Sequence, residues 1–170
     1  VGRLVHISAL GIDEGTSNYA ASKRDGEERV LKAFPSATVL RPSIVFGEDD
    51  DFFNKFAQLA EVLPVLPLIG GGKTKFQPVF VGNVSESVIR ALYLTKIGKS
   101  SPLGAVYELG GPDILSFKEV YEFLFEHTGR KRCLVSLPFG VAKLQACVLS
   151  LLPTPLLTRD QVESLKTDSV

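Results

Sequence analysis

Two buried extended runs with a helical run between them make up the first fifty residues. Residues 3–8 are rich in Leu, Val and Ile with little alternation, which is typical of a strand buried on both faces. Ser17 or Asn18 is a suitable cap for a helix that continues to about Phe34. Residues 37–41 form the second buried run. The order strand, helix, strand predicts a parallel βαβ unit with a right-handed crossover, and therefore an α/β fold.

The rest of the chain continues to mix helical and extended patterns. Apolar residues at helical spacing predict helices at 52–62, 84–94, 116–127 and 139–152. Short apolar runs predict strands at 105–109 and 134–137. Pro78 makes residues 76–81 at best an edge or bent strand, and the prolines and glycines of residues 64–72 predict an irregular segment. Residues 158–163 are expected to start a helix that the chain end cuts short.

Composition and charge narrow the class of protein. The 170 residues are 45% hydrophobic, and 19 Lys plus Arg balance 19 Asp plus Glu. This balance argues against a nucleic-acid partner, because neutralising phosphates needs a basic surplus. His6 and His127 are far apart in sequence, so no metal site is expected. Cys133 and Cys147 are too few for a disulfide framework, and we expect free thiols in a reducing compartment.

The longest apolar stretch bears on membrane contact. Residues 139–152 are fewer than the about 20 apolar residues that a membrane-spanning helix needs. They predict a helix that faces the core or a partner, and peripheral lipid contact stays open. The chain contains no methionine and begins within a predicted strand. We therefore expect an internal piece of a longer protein.

Tyr19 and Lys23 are the strongest candidates for chemistry. They stand four residues apart near the start of the first predicted helix, so both side chains project from one face. A free tyrosine, with a pKa near about 10, is a poor base at neutral pH. A nearby ammonium is expected to stabilise the phenolate and lower that pKa, so that the pair exchanges a proton with a substrate oxygen. The alternative is a solvated helix face.

Further candidates stand where the two buried strands end. Ser8 lies at the carboxyl end of the first strand, the position at which open α/β sheets bind ligands. Its hydroxyl is expected to bond the same substrate oxygen as Tyr19, and the alternative is a serine bonded to local backbone. Pro42 ends the second strand, so the residues after it lie at the same edge of the sheet. There we expect a nicotinamide to be within reach of the backbone of Ser43, Ile44 and Val45.

Several motifs together resemble the second half of extended and atypical short-chain dehydrogenases/reductases, the NAD-dependent epimerase/dehydratase-like proteins. The motifs are Val5-His-Ile-Ser8, Tyr19-Ala-Ala-Ser-Lys23, Val39-Leu-Arg-Pro-Ser-Ile-Val-Phe-Gly47 and Gln77-Pro-Val-Phe-Val-Gly-Asn-Val84. Two motifs narrow the resemblance to the NAD(P)H-binding accessory subunits of respiratory complex I (NADH:ubiquinone oxidoreductase) and their bacterial relatives. They are Phe76-Gln-Pro-Val79 and Leu157-Thr-Arg-Asp-Gln-Val-Glu163.

The resemblance implies a domain organisation. Residues 1–50 with 76–110 would form the second half of a Rossmann-like NAD(P)-binding domain with a parallel sheet. Residues 51–75 with 111–170 would form a smaller C-terminal α/β lobe for a substrate or partner. The glycine-rich turn that binds the dinucleotide pyrophosphate is absent from this sequence. NAD or NADP would therefore bind to a longer parent, and the piece alone is expected to self-associate.

The resemblance also implies roles for the candidate residues. Tyr19, Lys23 and Ser8 would be catalytic, and Lys23 with Tyr19 would bind the cofactor. The residues facing the nicotinamide would be Pro42, Ser43, Ile44 and Val45. In the complex I subunits the cofactor is mainly structural, so any activity would be vestigial. Complex I subunits would be the partners, in the cytoplasm or on the inner face of a respiratory membrane, which is the matrix side in mitochondria.

Two alternatives to this reading remain. The first is an active NAD(P)-dependent oxidoreductase or epimerase/dehydratase that acts on a small molecule, a nucleotide sugar, a sterol or an isoprenoid-like hydroxyl. Residues 51–75 contain only three lysines, which disfavours a nucleotide-sugar diphosphate. The second is a protein-interaction domain, for which the Tyr–Lys pair would be a coincidence.

Overall fold

The computed structural model describes residues 2–94, 101–149 and 157–170, and the expected α/β class is confirmed. The strands are β1 (Val5–Ile7), β2 (Thr38–Pro42), β3 (Val45–Phe46), β4 (Val65–Ile69), β5 (Lys75–Phe76), β6 (Val79–Phe80), β7 (Val106–Leu109), β8 (Leu115–Ser116) and β9 (Cys133–Leu137). The helices are α1 (Asn18–Ala33), α2 (Phe53–Val62), α3 (Val81–Tyr93), α4 (Phe117–Thr128), α5 (Phe139–Leu149) and α6 (Arg159–Ser164).

A three-stranded parallel sheet, in the order β1-β2-β7, confirms the predicted βαβ unit. Val39 in the central strand pairs with His6 on one side and Val106 on the other. Val39 and Leu40 are almost completely buried, because both faces and both edges of β2 are covered. Helix α1 starts at the cap Ser17, whose hydroxyl accepts a hydrogen bond from the backbone N–H of Ala20.

The prediction of an irregular segment at 64–72 is wrong for residues 65–69. Residues Val65–Ile69 form β4, which pairs in parallel with β9. Pro67 has no N–H group to donate to a neighbouring strand. Within the described residues β4 pairs along one edge only, and a proline is tolerated in such an edge strand. Gly70–Gly72 then form a tight 3-10 turn in which all three glycines have positive φ.

Helix α3 begins three residues earlier than predicted, at Val81 rather than Val84. Gly82 lies within its first turn, where a Cβ would approach the ring of Phe80 to 2.6 Å. Glycine is a poor helix former, but at position 82 it leaves room for the Phe80 ring beside the helix. Ser116 caps α4, with Glu119 completing a capping box.

A cluster of rings, which we call the aromatic core, holds α2 against α4. Phe56 lies 5.3 Å from Phe117 and 5.2 Å from Tyr121 between ring centroids, and Phe52 lies 5.6 Å from Phe76. These edge-to-face arrangements are favourable beyond the area that the rings bury. The aromatic core forms one wall of the site described below.

The last helix does not run to the chain end, contrary to the prediction. α6 ends at Ser164, and the residues after it return to β5, where Ser169 lies beside Phe76. The backbone N–H of Ser169 donates to the Lys75 carbonyl oxygen at 2.9 Å, and the Gln77 N–H donates to the Ser169 carbonyl oxygen at 3.0 Å. The C-terminal residues are thus part of the folded structure.

Of the predicted helix at 139–152, Phe139–Leu149 form α5, and residues 150–152 lie outside the described part of the chain. None of the helices within residues 2–94, 101–149 and 157–170 is long and apolar enough to cross a bilayer. Cys133 is a free, exposed thiol.

Candidate active site

A cavity of about 510 Å³ opens at the carboxyl ends of β1 and β2. It is lined by all the candidate catalytic and cofactor-binding residues, namely Ser8, Tyr19, Lys23, Pro42, Ser43, Ile44 and Val45. These residues come from two adjacent strands and from the helix that connects them, whose ends meet at one edge of the sheet. The structure thus brings the candidates together, while their chemical roles stay predictions.

Tyr19 and Lys23 face the cavity from the first two turns of α1. The Lys23 ammonium lies over the Tyr19 ring, 5.8 Å from its centroid, and donates a hydrogen bond to the Ile7 carbonyl oxygen at 3.4 Å. Tyr19 is half exposed. Its hydroxyl makes no hydrogen bond with any described residue. The Lys23 side chain is therefore held by the end of β1, whereas the Tyr19 phenol is open to a ligand.

The acidity of Tyr19 differs from the prediction. Partial burial raises the pKa of the Tyr19 phenol above its usual value, because the phenolate loses solvation by water. The expectation that Lys23 lowers this pKa is therefore wrong for the protein without a ligand. At neutral pH the phenol is protonated and can donate a hydrogen bond.

Ser8 is buried, and its hydroxyl makes no hydrogen bond with Tyr19 in the described part of the chain. Ser8 Oγ is sealed from solvent and has no partner within hydrogen-bond distance among the described residues. Burial alone would raise the pKa of the nearby Glu27 carboxyl, but the Arg41 guanidinium and, to a smaller extent, the Ser8 hydroxyl lower it. Ser8 thus belongs to a buried polar network on the α1 side of the sheet.

The centre of that network is Arg41, which sequence reasoning missed. Its guanidinium donates to both carboxylate oxygens of Glu27, at 2.7 and 3.0 Å, and to Asp13 at 2.7 Å. Arg41 and Glu27 have side chains that are only 15% and 9% exposed. A signal was present, since an arginine inside a buried strand requires a buried acidic partner. The ion pair ties α1 to β2.

The residues after β2 are fixed by the chain's own backbone. The Ser43 hydroxyl donates to the Ser169 carbonyl oxygen at 2.7 Å and accepts from the Gln77 N–H at 3.2 Å. The Ile44 carbonyl oxygen accepts from the Val79 N–H at 2.8 Å. The Ser43 side chain is thus used structurally.

The C-terminal segment also lines the cavity, which the sequence did not predict. Its lining residues are Leu157, Gln161, Ser164, Leu165, Thr167, Asp168 and Ser169. One of its side chains, Asp160, binds the start of α1 through the backbone N–H of Asn18 and Tyr19. The sequence feature that could have indicated this contact is the Thr-Arg-Asp-Gln motif, but the residues that it binds lie near the other end of the chain.

The cavity is mostly apolar, with few charges. Its walls include Ile12, Ile44, Phe52, Phe56, Phe76, Leu157 and Leu165. Its only cations among the described residues are Lys23 and Lys55. A phenol and an ammonium side by side suit the hydroxyls of a ribose and the carbonyl of a nicotinamide. The loop before α1 brings Gly11 and Gly15 to the cavity, but the first N–H groups of that helix are bound by Ser17 and Asp160. The donors of the cavity therefore fit the nicotinamide half of a dinucleotide and not its pyrophosphate.

Two relatives resemble the chain over nearly its whole length. It is 35% identical to the mitochondrial NADH dehydrogenase (ubiquinone) 1 alpha subcomplex subunit 9 of Arabidopsis thaliana, over 99% of this chain and 43% of that protein. It is 33% identical to the protein of the same name from Mus musculus, over 100% of this chain and 44% of that protein. The chain therefore spans less than half the length of these curated relatives.

A solved structure shows a similar fold, and a family model matches more than half of the chain. A crystal structure of an NADPH-dependent quinone oxidoreductase from Escherichia coli, solved with NADPH, superposes with a TM-score of 0.73 at 18% identity. The match covers 98% of this chain and 56% of that one, and at this identity it concerns the fold. Residues 13–107, more than half of the chain, match the 3-beta hydroxysteroid dehydrogenase/isomerase family. The resemblance to short-chain dehydrogenases/reductases is thus confirmed, and the chain belongs to the 3-beta hydroxysteroid dehydrogenase/isomerase family.

Proposed function

We propose that this chain supplies the nicotinamide end of an NAD(P) site. In this proposal the Lys23 ammonium and the Tyr19 hydroxyl bind the ribose, while the segment from Pro42 to Val45 faces the nicotinamide. A bound cofactor would supply a hydride. The support comes from the shared cavity of these residues, the family match and the fold likeness to an NADPH-bound oxidoreductase.

We further propose that the cofactor is mainly structural and that the protein is an accessory subunit of respiratory complex I. The observation that carries this proposal is the state of the proposed catalytic group. The pKa of Tyr19 is raised by burial, and the buried Ser8 hydroxyl makes no hydrogen bond with Tyr19 in the described residues. A phenol that stays protonated at neutral pH can donate a hydrogen bond to a ligand but is a poor base. The names of the two similar mitochondrial proteins support the same function.

The proposed location is the inner face of a respiratory membrane, with complex I subunits as partners. The proposed domain division assigns residues 1–50 and 76–110 to cofactor binding, and residues 51–75 and 111–170 to a lobe for a substrate or partner. On α5, Val141 and Leu144 are 52% and 70% exposed. Apolar side chains of this kind suit a protein partner or a peripheral lipid contact.

A second candidate is an active oxidoreductase that acts on an apolar alcohol or ketone. The apolar walls of the cavity favour this substrate class, which includes sterol and isoprenoid-like hydroxyls. They disfavour a nucleotide sugar, because a diphosphate needs several cations and the described lining residues include two. The family match to steroid dehydrogenases points the same way.

Complex assembly in native cells separates the two candidates. The full-length protein would be expressed as wild type, Tyr19→Phe or Lys23→Ala, and assembled complex I would be measured on native gels together with its bound nucleotide. A structural cofactor predicts normal assembly for Tyr19→Phe, and reduced assembly with reduced nucleotide for Lys23→Ala. Normal assembly of a Lys23→Ala complex that has lost its nucleotide would contradict the structural role.

A further inference from the structure

The amino end of α1 is held by a carboxylate from the far end of the chain. Asp160 Oδ1 accepts a hydrogen bond from the backbone N–H of Asn18 at 2.7 Å. Asp160 Oδ2 accepts one from the backbone N–H of Tyr19 at 3.0 Å. Both oxygens of one carboxylate thus bind the first turn of the helix that carries the Tyr19–Lys23 pair.

These bonds complete the hydrogen bonding of that turn. The first N–H groups of an α-helix have no partner within the helix. In α1, Ser17 accepts from the N–H of Ala20 through its hydroxyl, at 3.1 Å, and from the N–H of Ala21 through its carbonyl oxygen, at 3.0 Å. The two remaining N–H groups are those bound by Asp160. The first turn of α1 has no acidic residue of its own, so Asp160 also supplies the negative charge that a helix start favours.

Asp160 is itself held in place by the rest of α6. This helix begins with a capping box at Thr158, and Val162 is completely buried in the cluster that contains the aromatic core. One turn further along, Glu163 accepts a hydrogen bond from the Thr16 hydroxyl at 2.9 Å, which is a second tie to the loop before α1. The carboxylate that binds α1 is therefore mounted on a packed element.

Tyr19 has no comparable anchor in its own side chain, since its ring is half exposed and its hydroxyl is open to the cavity. We propose that Asp160 is a positioning residue for the Tyr19–Lys23 pair, which fixes the start of α1 and hence the position of both side chains at the cavity. This inference rests on the proposed cofactor site. Gln161 and Leu165 of the same segment line the cavity. One short segment therefore contacts both the cavity and α1, the helix that carries the pair.

The test uses the full-length protein with Asp160→Ala, Asp160→Asn and, as a matched control, Asp113→Asn at an exposed position. In Asp160→Ala, amide hydrogen exchange at Asn18 and Tyr19 should accelerate about fivefold, as expected for loss of a helix cap. Asp160→Asn keeps one acceptor oxygen, so a smaller acceleration is expected. The affinity for NADPH should fall in the same order, and the control should match wild type.

A comparison with Lys23→Ala separates positioning from general destabilisation. If Asp160 acts through the pair, Asp160→Ala should weaken NADPH binding little further once Lys23 is already alanine. Unchanged exchange at Asn18 and Tyr19 in Asp160→Ala, or fully additive losses of affinity, would overturn the inference. If Lys23→Ala alone leaves NADPH binding unchanged, the proposed cofactor site fails, and the exchange rates still decide whether Asp160 holds the helix.

Discussion

The Lys23 ammonium lies 5.8 Å from the centroid of the Tyr19 ring, one helical turn along α1. Its hydrogen bond to the Ile7 carbonyl oxygen links this pair to the end of β1. The ammonium is therefore the fixed member of the pair, and the half-exposed phenol is the member that adjusts to a ligand. This difference predicts different consequences for the loss of each side chain.

Tyr19→Phe should lower the NADPH affinity of the full-length protein less than Lys23→Ala does, because a neutral hydroxyl contributes less to binding than an ammonium. Any NADPH-dependent reduction of an apolar ketone should fall about 10²- to 10⁴-fold, the usual effect of losing a general acid. Tyr93→Phe removes the hydroxyl of a tyrosine that is 79% exposed on α3, and it serves as the control. A rate unchanged by Tyr19→Phe would favour the purely structural cofactor.

Removing the carboxylate from Glu27 should destabilise the protein. Glu27→Ala leaves the Arg41 guanidinium buried with Asp13 as its main remaining partner, and breaking a buried ion pair typically costs about 3 kcal/mol or more. The free energy of unfolding would be measured by urea titration. Glu28→Gln, at an exposed neighbouring position, should have little effect. A Glu27→Ala protein as stable as wild type would show that the network is not needed for folding.

The attachment of α6 should depend on pH through Glu163. Ion pairs with Lys143 and Lys166 and a hydrogen bond from Thr16 lower the pKa of this carboxyl to about 2. A lowered pKa stabilises the folded state above the unfolded pKa of about 4.3, and this stabilisation is lost as the pH falls towards the folded value. Amide exchange in α6 should therefore accelerate between about pH 5 and pH 2 beyond the intrinsic rate.

The Glu163→Gln variant provides the control for this pH dependence. Its α6 should exchange faster at neutral pH and show a flatter profile in acid, because the titrating group is absent. Equal acid profiles for wild type and Glu163→Gln would contradict the role of Glu163.

The 170-residue chain by itself should bind NADPH weakly and self-associate. It contributes donors for the nicotinamide half only, and within the described residues β1 pairs on one edge, with β2. An open strand edge favours pairing between copies. Reduced-nicotinamide fluorescence would measure binding, and sedimentation would measure association. Micromolar binding by a monodisperse monomer would be the opposite result.

The sequence predicted what depends on neighbouring residues. Continuous apolar runs identified β1 and β2, and the four-residue spacing placed Tyr19 and Lys23 on one helix face. The strand β4 was missed because a proline argues against a strand unless that strand is known to lie at the edge of a sheet. Local pattern therefore sufficed for the sheet and the pair, and not for β4.

The remaining site features depend on contacts between distant residues. The bond from Tyr19 to Asp160 joins positions 141 residues apart, and no periodicity within either helix reports it. Likewise, the raised pKa of Tyr19 follows from burial in three dimensions, whereas the sequence shows only the nearby lysine. Charge and burial at the site thus required the folded structure.

The most direct test of the account is NADPH titration of the full-length protein with Lys23→Ala. Lys32→Ala, an exposed lysine on the same helix, is the matched control. A hydrogen bond from an ammonium typically contributes about 1.5 to 3 kcal/mol, so the dissociation constant should rise about tenfold or more in Lys23→Ala. The Lys32→Ala protein should bind like wild type. Equal affinities for wild type and Lys23→Ala would contradict the proposal that the Tyr19–Lys23 pair forms the nicotinamide end of an NAD(P) site.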